Sequence, residues 1–355
     1  MAASDLHTAA HLFNPARLTL ARELRDLTKS ELAALADKTP SAISQFEAGQ
    51  VRPDPQTLKR LALALGMSVD FFAARAASHV IPLDVCHFRS LRSASQRQRR
   101  QLLARGSLLC ELVSWLEQEV DFPPQKVSEI GQAASTPEAI DALADAVRRK
   151  WGLGLGPIGS VIGLLENKGV LVMRIDQATR DVDAFSFWHE GRPCVLLVME
   201  KGSTSRTRFD AAHELGHLVM HTDVVPGSPE VERAAHRFAS AFLLPRDSFL
   251  KECPRRLDLP HFFELKTRWK VSVAAMVRRA RDLGCLSDAS YRRACIALRQ
   301  QGTKERNEPA LERPRLLLEA LNLIREDWPV ERIAAALAMK SADVLALVAP
   351  NDDRA

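Results

Sequence analysis

A mainly helical α+β protein is predicted from three features of the sequence. Apolar residues recur at helical spacing over residues 18–72. Two apolar β-type segments, residues 170–175 and 194–199, with a weaker one at residues 184–188, predict a small sheet in the middle of the chain. Helical patterns resume after the sheet. The expected architecture is therefore an N-terminal helical domain, a central domain with a small sheet, and a helical C-terminal segment.

Length and composition limit the classes of protein that fit. A chain of 355 residues is long enough for two or three domains, and 46% hydrophobic residues support packed cores. The sequence has no run of 18 apolar residues and no basic start before an apolar stretch, so neither a membrane span nor a signal peptide is predicted. We expect a cytoplasmic bacterial protein without a membrane partner. The six cysteines form no CxxC pair, which favours reduced thiols over a cysteine-ligated zinc.

The first domain is expected over residues 18–75 as five short helices. Ser30 is a favourable N-cap for the second helix. Gly49 and Gly66 end the third and fourth helices, and a short fifth helix follows. Residues 1–17 are small and polar and are predicted to be a frayed leader.

The remaining boundaries follow from changes in pattern. Residues 76–150 are predicted to be a helical linker region, residues 151–300 a second domain, and residues 311–350 a helical C-terminal segment. Residues 302–310 are expected to be a polar linker. Residues 329–348 have a faint helix-turn-helix rhythm, although a helical cap or a dimerisation element is the favoured interpretation.

A pair of histidines carries the strongest chemical signal. His213 and His217 are four residues apart in an apolar helix, so both imidazoles can reach one tetrahedral ion. Glu214 lies one position round the helix, where it can reach a metal-bound water. Zinc lowers the pKa of such a water, and the carboxylate takes its proton as the oxygen attacks a carbonyl. The apolar helix, the preceding strands and the acidic helix that follows favour this interpretation over a chance HExxH sequence.

A catalytic zinc also needs a third protein ligand and an open position. The nearby candidates are His221, Asp223, Glu230, Glu232 and His236. Glu232 is favoured because it begins an apolar helix that can pack against the histidine helix. His236, one turn further on, is predicted to orient Glu232 or to bind the ion in its place. His221 drifts from the ligand face and is expected to be a solvated or packing histidine. Two imidazoles and a carboxylate suit zinc, although manganese and iron also fit.

These segments resemble the ImmA/IrrE family of zinc metallopeptidases. The matching stretches are RFDAAHELGHLVMH (208–221) and VERAAHRFASAFLLP (231–245), and further similarity extends over about residues 80–300. The family pattern is an HELGH helix followed by a Glu-x-x-Ala-x-x-Phe-Ala-x-x-Leu-Leu-x-Pro helix. The leading Glu, which is the family's third ligand, falls on Glu232. The family usually has Asn or Asp where this chain has His236.

The resemblance implies a zinc metalloendopeptidase of the HExxH, gluzincin-like type. It implies one Zn2+ per chain, held by His213, His217 and Glu232, with Glu214 as the catalytic residue. Active members of the family cut a repressor that contains a helix-turn-helix. The implied substrate is therefore a repressor or antitoxin-like protein in a stress or mobile-element response.

Zincin-type proteases bind an extended peptide along an edge strand beside the metal helix. The candidates for this strand are Phe185, Ser186, Phe187 and Trp188, and a core position for the aromatic rings is the competing interpretation. An arginine near the metal is a candidate to stabilise the oxyanion, although surface or ion-paired roles are commoner. The arginines considered are Arg278, Arg279 and Arg281.

Residues 18–72 resemble the XRE (Cro/C1-type) helix-turn-helix family. The matching stretches are LTKSELAALA, TPSAISQFEAG and the later pattern LxxLAxALG. In this geometry the start of the recognition helix reaches base edges, while basic residues meet phosphates. The expected partner is a double-stranded DNA operator, bound by a homodimer that is then associated with the nucleoid. The predicted DNA contacts are Lys29, Lys38, Ser41, Ala42, Ser44 and Gln45.

Three functions fit these patterns. The first is a transcriptional regulator with a peptidase domain that removes a repressor or antitoxin-like protein. The second is a transcriptional repressor whose zinc domain is a sensor or scaffold without proteolysis. The third is a peptidase whose helix-turn-helix only recognises its protein substrate. The first is favoured over the second because a scaffold does not require Glu214. It is favoured over the third because Lys29 and Lys38 are cations that can meet phosphates.

Overall fold

The computed structural model describes residues 6–74, 87–88, 95–130, 134–175, 184–198, 203–221, 228–300 and 306–348. It divides into two compact units: residues 1–83, 91–122 and 316–355, and residues 84–90 and 123–315. The fold is mainly helical with a small central sheet, which confirms the predicted α+β class. Within the described residues, no helix is long and apolar enough to cross a membrane.

The first unit begins with the five predicted short helices and one further helix before them, which the sequence did not predict. These are α1 (Leu6–His11), α2 (Pro15–Leu24), α3 (Lys29–Leu35), α4 (Pro40–Glu47), α5 (Pro55–Leu65) and a 3₁₀ helix (Asp70–Phe72). The expectation of a frayed leader is wrong for residues 6–17, because α1 lies within them and α2 begins at Pro15. Ala9 and Phe13 are buried there, and their contacts outweigh the polar composition of the segment.

Capping residues fix where these helices begin. Thr28 accepts a hydrogen bond from the Glu31 backbone N–H, and the Glu31 carboxylate accepts one from the Thr28 N–H, which completes a capping box. Thr39 caps α4 in front of Pro40. A buried ion pair then joins α2 to α4, since Arg22 Nε lies 2.5 Å from a carboxylate oxygen of Glu47.

The first unit is completed by α6 (Gln96–Leu116) and three C-terminal helices, α15 (Leu316–Leu323), α16 (Val330–Ala336) and α17 (Ser341–Val348). Arg17 of α2 donates a 2.9 Å hydrogen bond to Glu111 of α6. The rings of Trp115 and Trp328 meet edge to face at 4.9 Å. The segment predicted as a linker over residues 76–150 is therefore shared between the two units, and its first helix, α6, packs with α2.

The C-terminal segment repeats the backbone of the first helix-turn-helix. Ala338 has a φ of 55° between α16 and α17, as Asp37 has a φ of 54° between α3 and α4. The N–H groups of Met339 and Lys38 make equivalent turn bonds of 2.8 and 2.9 Å. The surface chemistry differs, because Leu345 occupies the position that corresponds to Ser44. The turn thus recurs without the polar side chain that Ser44 supplies in α4.

The second unit contains the sheet, in the strand order β1-β3-β4-β2. Its strands are β1 (His87–Phe88), β2 (Leu171–Ile175), β3 (Ala184–His189) and β4 (Arg192–Val198). β3 and β4 form an antiparallel hairpin through Glu190 and Gly191, whose φ values are 47° and 79°. β2 lies parallel to β4, and β1 pairs antiparallel with β3. The three strands predicted with apolar patterns are present at the expected places.

Eight helices complete the described part of this unit. They are α7 (Pro137–Lys150), α8 (Val161–Asn167), α9 (Thr204–Met220), α10 (Pro229–Leu243), α11 (Arg246–Glu252), α12 (Leu259–Trp269), α13 (Val273–Asp282) and α14 (Asp288–Gln300). α9 contacts β3 and β4 on one side and α10 on the other, while α7 packs on α10. Leu215, Phe238, Phe242 and Trp269 belong to the core around α9 and α10. This arrangement places the histidine helix between the sheet and α10.

Residues 306–315, which we name the strap, follow α14 without helix or strand. Glu308 accepts a 2.6 Å bond from Lys266 Nζ and a 2.8 Å bond from the Ser205 N–H at the start of α9. Glu312 pairs with Arg208 and accepts hydrogen bonds from the first N–H groups of α8. The segment predicted as a polar linker over residues 302–310 is thus anchored in the second unit wherever the structure describes it.

Candidate functional site

The two histidines of the HExxH sequence lie side by side in the buried helix α9. Ser203 caps this helix, and every residue from Thr204 to Met220 except the exposed Arg206 is buried. His213 and His217 are 1% and 0% exposed, and their Nε2 atoms are 3.1 Å apart. One helical turn separates them, so both rings face the same point beside α10.

Glu232 meets this pair from the first turn of α10. Its carboxylate oxygens lie 3.3 Å from His213 Nε2 and 3.5 Å from His217 Nε2. Gly216 permits the close approach of the two helices, because a Cβ there would lie 3.1 Å from the Phe238 ring and 3.3 Å from the Ala235 backbone. The structure therefore brings together the three residues predicted as ligands.

The geometry and chemistry of these residues fit a divalent metal ion. Their ligand atoms all lie within 4.8 Å of one another. Tetrahedral zinc with Zn–N distances of about 2.05 Å requires ligand atoms about 3.3 Å apart, close to the 3.1–3.5 Å observed. Among the described residues, neither buried oxygen of Glu232 has a hydrogen-bond partner. Burial favours the neutral carboxyl, but His213 and His217 outweigh it and hold the pKa of Glu232 well below its usual range.

Glu214 lies between the two histidines and is 1% exposed. Its Oε2 accepts a 2.7 Å hydrogen bond from the hydroxyl of Ser186, in the middle of β3. The sequence predicts Ser186 only as a member of the substrate strand, so this contact with the predicted base was missed. The available signal was a single small polar residue within the aromatic run Phe-Ser-Phe-Trp.

The other candidate ligands lie around this cluster. Of the two alternatives for His221, the structure favours a packing histidine over a solvated one, because His221 is buried with its Nδ1 3.1 Å from His217 Nδ1. The ring of His236 lies 6.3 Å from that of His213, outside the three-residue cluster. Glu230 is exposed and pairs with Arg233 at 2.7 Å. Asp223 lies outside the described residues.

The predicted substrate strand is β3, and its side chains lie in the core. Phe185, Ser186 and Phe187 are 0%, 0% and 3% exposed, and Trp188 is half-buried. β1 pairs with β3 at Phe185 and Ser186, so this part of β3 is not a free edge to which a peptide could add. These observations favour the core interpretation of the aromatic rings.

Two of the three arginines considered for oxyanion stabilisation, Arg279 and Arg281, have other partners. Arg279 is buried and donates to Asp141 and to the Leu244 carbonyl. Arg281 donates a 2.6 Å hydrogen bond to Asp288. Both guanidinium groups are held by these bonds, which support the packing of α13 rather than the metal cluster.

The predicted DNA-contact residues surround the start of α4. Ser41 and Gln45 are exposed, whereas Lys38, Ala42 and Ser44 are half-buried. Lys29 is exposed, and its Nζ lies 3.3 Å from Ser44 Oγ and 3.3 Å from a carboxylate oxygen of Glu47. A phosphate contact by Lys29 therefore competes with an existing ion pair.

Comparison with protein families assigns a class to each unit. Residues 18–72 match the model described as helix-turn-helix, and residues 165–281 match the model of the IrrE N-terminal-like domain. Among curated proteins, none matches the chain. The chain thus carries an XRE-type helix-turn-helix DNA-binding domain followed by an IrrE-type, metallopeptidase-like domain, and both resemblances drawn from the sequence are confirmed.

Proposed function

We propose that this protein is a DNA-binding transcriptional regulator whose second domain is a zinc-dependent endopeptidase of the gluzincin-like type. The observation that carries the proposal is the convergence of His213, His217 and Glu232 within 4.8 Å, with the buried carboxylate of Glu214 beside them. A repressor or antitoxin-like protein, acting in a stress or mobile-element response, is the proposed substrate.

Each residue of the cluster has a separate role in this proposal. His213, His217 and Glu232 hold one zinc ion, which when bound acidifies water and polarises a peptide carbonyl. Glu214 accepts the proton of the attacking water and passes it to the leaving amine. His221 holds the ring of His217 in place from its far nitrogen, at 3.1 Å. β3 is the proposed strand along which the substrate pairs, beyond the two residues taken by β1.

The helix-turn-helix brings this peptidase domain to an operator. Ser41, Ser44 and Gln45 face the major groove in the proposed complex, and Lys38 contacts a phosphate. A homodimer that binds two half-sites supplies the affinity that one small domain lacks.

The decisive experiment compares the wild type with Glu214→Ala and Glu232→Gln. Zinc content is measured by mass spectrometry, and cleavage is measured on the helix-turn-helix protein encoded beside this gene. We expect one zinc per chain in the wild type and in Glu214→Ala, with cleavage about 10²–10⁴-fold slower in Glu214→Ala. Glu232→Gln is expected to lose zinc because an anionic ligand is removed.

A different result would support the alternative function, a transcriptional repressor whose zinc domain is a sensor or scaffold. Stoichiometric zinc without cleavage of the partner, together with operator binding unchanged by Glu214→Ala, would show a repressor whose metal domain performs no proteolysis. Operator binding is measured by fluorescence anisotropy, with Gln45→Ala as the variant that must weaken it. Loss of one good base contact costs about 1–3 kcal/mol.

A further inference from the structure

We propose that Ser186 is a positioning residue for Glu214. This inference rests on the proposed function, since it assigns a second residue to the same chemistry. Ser186 stands in β3 between two phenylalanines, Phe185 and Phe187, and it is 0% exposed. A buried hydroxyl requires a hydrogen-bond partner, and this one has the carboxylate of Glu214 at 2.7 Å.

The direction of this hydrogen bond follows from the chemistry of the two groups. An ionised carboxylate only accepts hydrogen bonds, so the Ser186 hydroxyl donates to Oε2 of Glu214. The same hydroxyl lies 3.5 Å from the Glu214 carbonyl oxygen. Holding one carboxylate oxygen against β3 fixes the side-chain torsions and therefore the direction in which the second oxygen points.

The strand gives this contact its rigidity. Ser186 pairs with Val195 of β4 on one side and with His87 of β1 on the other. A donor fixed in a three-stranded ladder cannot follow a mobile carboxylate, so the carboxylate must adopt the position that the strand dictates. General bases depend on such orientation, because a small misplacement of the reacting groups lowers the rate strongly.

The test measures the position of Glu214 without cleavage. Acetohydroxamate binds zinc through its two oxygens and shares its proton with the carboxylate beside the ion. Its affinity for the zinc-loaded full chain, measured by isothermal titration calorimetry, therefore reports where that carboxylate stands. The variants are Ser186→Ala, Ser186→Thr, Glu214→Gln and the double variant Ser186→Ala/Glu214→Gln. Ser107→Ala is the matched control, because Ser107 is also a buried, hydrogen-bonded serine but lies in the first unit.

We expect Ser186→Ala to keep the wild-type zinc affinity within about threefold and to weaken acetohydroxamate about 10- to 100-fold, as for loss of a hydrogen bond to a charged group. Ser186→Thr retains the hydroxyl and is expected to restore the affinity. In the double variant, Ser186→Ala is expected to add almost nothing to the effect of Glu214→Gln, since the serine acts through the carboxylate.

Three outcomes overturn the proposal. The first is wild-type acetohydroxamate affinity in Ser186→Ala. The second is a loss that adds fully to that of Glu214→Gln, which shows a structural role independent of the carboxylate. The third is a wild type that binds neither zinc nor acetohydroxamate, which removes the proposed function as well. The first two leave the proposed function intact, so the two failures are distinguishable.

Discussion

Replacing Glu308 by Gln tests whether the strap belongs to the metallopeptidase-like unit. Lys266 is 0% exposed, and its ammonium group lies 2.6 Å from the carboxylate of Glu308, which is 21% exposed. Removing one partner of a fully buried ion pair costs about 3–5 kcal/mol. Because the Glu308 carboxylate retains contact with water, we expect Glu308→Gln to lower the free energy of unfolding by only about 2–3 kcal/mol. For a unit of this size, that lowers Tm by about 4–12 °C.

Differential scanning calorimetry and urea unfolding measure this loss on the full chain. Glu129→Gln is the matched control, since Glu129 pairs with Lys126 and Lys150 at the surface of the same unit, where solvent screening leaves an ion pair with little effect on stability. Lys266→Met combined with Glu308→Gln removes both charges and is expected to recover most of the stability. A Glu308→Gln protein whose Tm lies within about 1 °C of the Glu129→Gln protein refutes the reasoning.

Three further predictions concern pH, helix packing and the DNA-binding unit. Burial raises the pKa of Glu308, but its bonds from Lys266 and Ser205 outweigh this and hold that pKa below the usual value. The stability that this lowered pKa contributes is therefore present above about pH 4.3 and is lost as pH falls through the lowered pKa. The free energy of unfolding, measured across this pH range, should therefore fall less steeply with decreasing pH in Glu308→Gln than in the wild type. Gly216→Ala gains about 1 kcal/mol of helix propensity but costs about 1–3 kcal/mol because the new methyl group overpacks against α10. Since this displaces Glu232 from the two histidines, titration with zinc should show weaker binding. Glu47→Gln leaves the buried Arg22 with only its longer ion pair to Glu23, at 3.6 Å, and should lower the stability of the first unit by about 2–3 kcal/mol, as measured by its thermal unfolding; an unchanged transition would contradict the assignment.

Local patterns were sufficient to predict most of the helices, the three apolar strands of the sheet and the histidine pair. His213 and His217 are separated by one helical turn, and a turn has the same geometry in any helix, so their convergence was predictable. Glu232 was predictable because it opens an apolar helix that must pack somewhere close. These inferences rely on spacing within one or two elements.

Long-range polar contacts were not predictable from the same patterns. Ser186 meets Glu214 across 28 positions of sequence, and Glu308 meets Lys266 across 42. A serine in a strand and a glutamate in a polar segment have the composition of ordinary surface residues. Only the fold brings their partners to them, so their roles become visible with the three-dimensional arrangement.

The path of the chain through the two units determines whether cleavage of one peptide bond separates the resulting fragments. The first unit contains residues 91–122 and residues 316–355, so the chain leaves it for residues 123–315 and then returns. Cleavage of one bond near residue 122 would therefore leave α15, α16 and α17 packed against the helices of the other fragment. Arg25 holds Asp343 at 3.2 Å there, and the rings of Trp115 and Trp328 remain in contact. Fragments from such a cut should migrate together in native chromatography and separate only in denaturant, so a nicked protein would look intact by size alone.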